Sequence, residues 1–286
     1  MSILKKRKPN RSRLGDFGVY FFLALFGVFF IIPLLFAVNN AFKPLDEIFL
    51  FPPKLFVNKP TLDNFADLFV LMGKTWVPFS RYIFNTVFIT SVGTGGHILI
   101  AAMAGYVLSK YSFPGSKMFF NIVITALMFS GYVTQIPNFL IMSKLHMVDT
   151  YFAVIIPAFA APMGLFLMKQ FMEQIPMTLI EAAKVDGAKE LRVFVQIVMP
   201  LVKPATLTLS IFSIQNLWNA RASNLIYAEE LKTLPFALSQ IVSGAQVARA
   251  GVSAAVILFT MIVPLLFFMF AQSNIIETMA SSGIKE

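Results

Sequence analysis

The sequence predicts an all-α membrane protein with six transmembrane helices, and three observations carry that prediction. Of the 286 residues, 57% are hydrophobic and only 13% charged, with a mean hydropathy of +0.75. The 32 phenylalanines, about a ninth of the chain, exceed what a water-soluble core buries. Apolar runs of about 20 residues, enough to cross the hydrocarbon layer, recur six times. In water this composition would leave large apolar patches exposed.

The spans are expected near 17–38, 82–108, 118–142, 151–171, 204–227 and 252–273. The first and last are nearly free of polar groups. The middle four carry Gly, Pro, Asn, Gln and Thr, as helices do when they face other helices or a cavity. Residues 1–16 form a basic segment containing Lys5, Lys6, Arg7, Lys8, Arg11 and Arg13. The apolar run behind it is too long for a signal peptide, and no small-residue cleavage site follows Val38, so a retained first span is expected. Alternating the spans places fourteen Lys and Arg on the side of the N-terminus and nine on the other. The positive-inside bias then predicts that both termini, including the tail 274–286, are cytoplasmic.

Composition also narrows the chemistry. Zero cysteines exclude disulfides, thiolate metal sites and thiol catalysis. Two histidines, His97 and His146, leave little for a zinc site or a catalytic triad, so neither a metal nor a catalytic residue is assigned. The net charge of +9 fits membrane topology better than nucleic-acid binding. Gly73-Lys74-Thr75 has the ending of a phosphate-binding loop, but Leu68 stands where that loop needs glycine. The span interiors hold no acidic relay for protons or sodium. A transporter built this way takes its energy from a partner.

Two connections are too long to be plain links. The outer one, 39–81, contains Phe51-Pro52-Pro53 and then a helical pattern starting at Thr61, a plausible cap. The cytoplasmic one, 172–203, contains Thr178-Leu179-Ile180-Glu181-Ala182-Ala183-Lys184-Val185-Asp186-Gly187. Thr178 and Glu181 fit a capping box. Leu179, Ala182, Ala183 and Asp186 fall at i, i+3, i+4 and i+7, a face of mostly small residues that another protein can approach closely. Gly187 stands where a left-handed residue would end the helix. A solvated amphipathic linker fits the same pattern.

Glu181-Ala182-Ala183, Asp186-Gly187-Ala188 and Ile197-Val198-Met199-Pro200 together resemble the E-A-A, D-G-A, I-x-x-P signature of ABC-importer permease subunits. Further stretches resemble the carbohydrate branch, the maltose-type permeases. They are Tyr106 to Gly115 after span two, Ile136-Pro137-Asn138-Phe139, Leu145 to Tyr151, and Trp218-Asn219. The resemblance implies a type I importer fold in the bacterial inner membrane, binding-protein-dependent and multi-pass. It implies that the cytoplasmic loop is a coupling helix, with Glu181, Ala182, Ala183, Asp186 and Gly187 docking on a cytoplasmic ATPase. It further implies a second, non-identical permease subunit, two ATPase subunits that bind and hydrolyse ATP, an extracytoplasmic solute-binding protein and a carbohydrate substrate. The chain itself would hold no cofactor and do no covalent chemistry. Family members often follow Trp-Asn with Asp and an aromatic; here Ala220-Arg221 follows, so no sugar preference carries over.

Amides pair with sugar hydroxyls and an indole offers an apolar plate. Asn216, Trp218 and Asn219, near Gln215 in span five, are therefore expected to border the substrate pathway, though hydrogen bonding between helices explains them equally. His97 invites the same two readings. Gln135, Pro137 and Asn138 suggest a kink in span three. Two alternatives remain: an ABC permease for a non-sugar solute, and a self-sufficient channel or secondary carrier.

Overall fold

The structure is a computed structural model, and it describes residues 13–220, 225–243 and 250–282. Most of the basic N-terminal run, Arg221, Arg249 and the last four residues of the expected tail lie outside the described residues. Every regular element among the described residues is helical. In chain order these are α1 (Arg13–Ala41), α2 (Leu45–Ile48), α3 (Asp63–Gly73), α4 (Phe79–Lys110), α5 (Ser116–Leu127), α6 (Gly131–Lys144), α7 (Phe152–Phe159) and α8 (Pro162–Glu173). There follow α9 (Met177–Val185), α10 (Glu190–Val193), a π-helical turn Phe194–Val198, α11 (Met199–Leu201) and α12 (Lys203–Trp218). A 3-10 turn Glu229–Leu231, α13 (Leu234–Ser243) and α14 (Ala250–Ser282) complete the chain.

Four segments are long and apolar enough to cross a membrane: 15–41, 79–110, 152–173, which joins α7 and α8 across 160–161, and 250–272. Two more qualify only as bent pairs, α5 with α6 at 112° and the run 190–201 with α12 at 78°. Span three is therefore broken at Met128–Ser130, where Ser130 caps α6 by accepting the Tyr132 N–H at 3.4 Å. The expected kink site Pro137 sits inside α6, whose first turns continue past it. Span five is shorter than expected. It ends at Trp218 instead of Tyr227, and the apolarity of Leu225 and Ile226 that extended the prediction is spent on burial against protein.

The chain divides into two compact units, 1–70 with 245–258 and 71–244 with 259–286. In the first, the stretch after α1 is folded, not extended. The Lys43 ammonium donates to Asn40 at 2.7 Å and to the Lys54 carbonyl at 2.5 Å. The Glu47 carboxylate accepts the Asn58 and Lys59 N–H groups. The Thr61 hydroxyl accepts the Asp63 N–H at 3.1 Å, the capping role its position predicts.

The second unit is built around α4, packed against α7, α8 and α12. Glycine permits this closeness at Gly105, where a Cβ would lie 3.0 Å from the Lys169 backbone nitrogen and 3.1 Å from Met168 Cβ. One apolar cluster joins α4 (Ala102, Tyr106), α8 (Met168, Met172), Ile180 of α9, Val193 of α10 and the start of α12 (Ala205, Leu209). This cluster anchors the loop 174–203 to α4, α8 and α12.

Candidate functional site

Two places hold the residues singled out by sequence. The first is the loop 174–203. Helix α9 begins two residues earlier than the capping-box reading requires. Its N-cap is Pro176, with extended backbone and no side-chain cap, so the Thr178–Glu181 box does not form. Proline fixes φ at the helix entry and carries no side-chain acceptor, so the first turn of α9 has no side-chain cap. At the other end the prediction holds. Gly187 has φ +82°. Its N–H donates to the Lys184 carbonyl, and the Ala188 N–H donates to the Ala183 carbonyl, both at 3.0 Å. That pairing is a Schellman stop, and it needs a residue free to adopt positive φ.

The faces of α9 are divided differently from the expected one. Ile180 is fully buried in the apolar cluster, and Ala183 and Ala188 pack partly against it. Ala183 thus faces its own subunit. Glu181, Ala182, Asp186 and Gly187 are exposed. Beside them lie apolar side chains left open: Leu179 at 47%, Val185 at 88% and Leu191 at 73% exposure.

Sequence reasoning missed the group that ties α9 down. Glu190, the first residue of α10, accepts hydrogen bonds from the Tyr106 hydroxyl at 2.5 Å and from the Tyr111 hydroxyl on the same oxygen. Its other oxygen pairs with the Lys184 ammonium at 2.9 Å. The two tyrosines, then Lys184, hold the Glu190 carboxyl down at about 2, well under the ordinary carboxylate range. Lys110 donates to the Ile175 carbonyl at 2.5 Å just before α9. Glu190 and the tyrosines are 79 and 84 residues apart, so no local pattern pairs them.

The second place is a cavity of about 460 Å³ lined by α4, α6, α7, α8 and α12. Its polar lining comes from His97, Asn138, Ser213 and Asn216, set among Ala, Pro, Leu, Val, Met and Phe. His97 is nearly fully buried, bridging the Ser213 hydroxyl at 2.7 Å and the Ala161 carbonyl at 3.1 Å. It approaches Gly164 so closely that a Cβ there would lie 2.2 Å from Nε2. Of the three expected pathway residues only Asn216 lines this cavity. Trp218 is buried, its indole N–H donating to the Thr260 carbonyl at 2.9 Å. Asn219 closes α12, its amide donating back to the Gln215 carbonyl at 2.9 Å. Asn219 is already the C-cap and spends its amide on its own helix.

The end of this unit away from the loop 174–203 is pinned by polar contacts. Asn85 donates to the Glu230 and Lys232 carbonyls and accepts from the Tyr151 hydroxyl. Asp149 accepts the Tyr227 and Ala228 N–H groups.

Residues 97–280 match the family of binding-protein-dependent transport system inner membrane components. The chain belongs to that family. The match begins at His97 and runs through the cavity, the loop and α14. The chain is 31% identical to an arabinooligosaccharides transport system permease protein of Halalkalibacterium halodurans, covering 98% of this chain and 99% of that one. It is 26% identical to a polygalacturonan/rhamnogalacturonan transport system permease protein of Bacillus subtilis, over 96% and 99% of the two chains. The fold matches a chain of a bacterial ABC transporter involved in alginate import, with TM-score 0.76, 23% identity and coverage of 93% and 99%.

Proposed function

We propose that this permease is one half of the membrane pathway of an ATP-driven importer for an oligosaccharide. The observation that carries the reading is α9: a short helix anchored by Ile180 on one side, with exposed Leu179, Ala182, Val185 and Asp186 on the other. A helix that is held firmly yet keeps apolar side chains open suits a protein partner. A cytoplasmic ATPase subunit is the partner that would supply the missing energy source. Glu181, Ala182, Asp186 and Gly187 form the docking surface, and Ala183 supports it from beneath. A second permease subunit completes the pore, two ATPase subunits sit at the cytoplasmic face, and a loaded binding protein delivers solute from outside. The N- and C-termini are cytoplasmic in this arrangement.

The sugar reading draws on the arabinooligosaccharide, polygalacturonan and alginate relatives and on the cavity chemistry. Asn138, Ser213 and Asn216 offer amide and hydroxyl groups for sugar hydroxyls, while Pro157, Leu209 and Phe212 offer apolar wall for ring faces. The pathway is assigned to Asn216 with Asn138 and Ser213; Trp218 and Asn219 frame it. The test is reconstitution of the complex with its ATPase and binding protein in liposomes. Arabino-, galacto- and galacturono-oligosaccharides are offered, each with and without internal ATP. ATP-dependent uptake of at least one is expected. Uptake by the chain alone without ATP, or ATP-dependent uptake of only non-sugar solutes, would overturn the reading.

A further inference from the structure

The groups around Glu190 have no part in docking or in the cavity, yet they join elements that both functions need. Tyr106 is in the last turn but one of α4, and Tyr111 is its C-cap. Lys184 lies in the last turn of α9, and Glu190 opens α10. One carboxylate therefore holds three chain segments at once. The rings reinforce it: Tyr106 and Tyr111 meet edge to face at 5.9 Å, and Tyr106 packs on Phe194 at 5.4 Å. The Lys184 ammonium also sits over the Tyr111 ring at 5.4 Å. Phe194 starts the π-helical turn that precedes the bend into α12. Nine residues before Tyr106 on the same helix is His97, about 14 Å away at 1.5 Å per residue, in the cavity wall.

We propose that Glu190 is the positioning residue that makes α9 and the cytoplasmic end of α4 one rigid body, so that displacement of α9 is delivered to the cavity wall. The proposal rests on the reading of α9 as the ATPase-docking element. Apolar packing through Ile180 alone fixes distance but tolerates sliding, because dispersion contacts are weakly directional. A carboxylate taking two hydroxyls and an ammonium fixes direction as well, through charge-assisted hydrogen bonds. Tyr106, Tyr111 and Lys184 act through that one group, so their removals should not add: Tyr106→Phe should do little more once Glu190→Gln is present.

The chain has no native cysteine, which allows nitroxides to be placed at Val107→Cys on α4 and at the exposed Thr178→Cys on α9 before assembly with the ATPase subunits. Their separation is measured by pulsed electron paramagnetic resonance in the full complex in nanodiscs, without nucleotide and trapped with Mg-ATP and vanadate. With Glu190 present the separation should be the same in both states. With Glu190→Gln, or with Tyr106→Phe and Tyr111→Phe together, trapping should change it by more than about 2 Å, the scale of ordinary helix shifts. An unchanged separation in those variants overturns the proposal, whether or not their melting temperature falls. So does an equal change with Glu190 present. The nitroxide on α9 also reports docking separately, since it should be immobilised when the ATPase subunits are added. No immobilisation in any variant overturns the docking reading and this proposal with it. Immobilisation with a fixed separation in the variants overturns the proposal alone.

Discussion

The loop 174–203 and the cavity belong to the same unit but are specified by different kinds of interaction. In the loop, the features that start and stop α9 are local: proline at its entry, Gly187 at φ +82° and two backbone hydrogen bonds within six residues. In the cavity, His97 meets Ser213 across 116 residues of chain, and the lining that includes Asn216 is assembled from five helices. The loop is a preorganised surface with charged fixings. The cavity is an apolar volume with a few polar groups whose roles depend on packing. Moving the loop should therefore change whether transport happens, and editing the cavity should change what is transported.

The severest test of this division removes the close packing between the two places. Gly105→Val would force a side chain against the Lys169 backbone at a position with no slack. Overpacking of this kind costs about 1–3 kcal/mol. Thermal melting should fall, with uptake and ATP hydrolysis declining together. Gly187→Val is more selective. Open space surrounds the added Cβ, so the cost is backbone strain alone, about 1 kcal/mol or more. Membrane insertion should be normal while uptake and stimulated ATP hydrolysis fall; full retention of stimulation would remove Gly187 from the docking surface.

Within the cavity the comparison sharpens to two neighbouring asparagines. Asn216→Ala should alter the ratio of uptake for two competing oligosaccharides at nearly unchanged melting temperature. Asn219→Ala removes a C-cap hydrogen bond to Gln215 and should cost about 0.5–1.5 kcal/mol with the ratio unchanged. The reverse pattern would return the pathway to Asn219. The smallest effect concerns acid. The Glu190 carboxyl is depressed from 4.5 to about 2, so its stabilising contribution is complete above 4.5 and is lost only as pH falls toward 2. The spectrum of a nitroxide attached beforehand at position 178 should be constant from pH 8 to pH 5. A change in that window would show another titrating group controls the loop.

Legibility follows the same line as the physics. The helical class was readable because apolar composition and run length depend on residues alone. Gly187 was readable because a helix stop is a local matter. The inward turn of Ala183 was not, since helical periodicity gives a face but not which neighbour the face meets. The end of span five was misplaced because apolar Leu225 and Ile226 look alike whether lipid or protein covers them. The broken span three escaped notice since Pro137 drew the kink away from Ser130. Glu190 with Tyr106 and Tyr111 left no signal in spacing; only the fold brings them together.

Cysteine cross-linking along α9 tests whether the helix presents one face to an ATPase and the other to its own chain. Single cysteines at Leu179, Ala182, Val185 and Asp186, and at Ile180 and Ala183, are treated with a short bifunctional reagent in the assembled complex. Cross-links to the ATPase subunit are expected at the first four positions and absent at Ile180 and Ala183. Equal cross-linking at all six, or none at 182 and 185, would contradict the account.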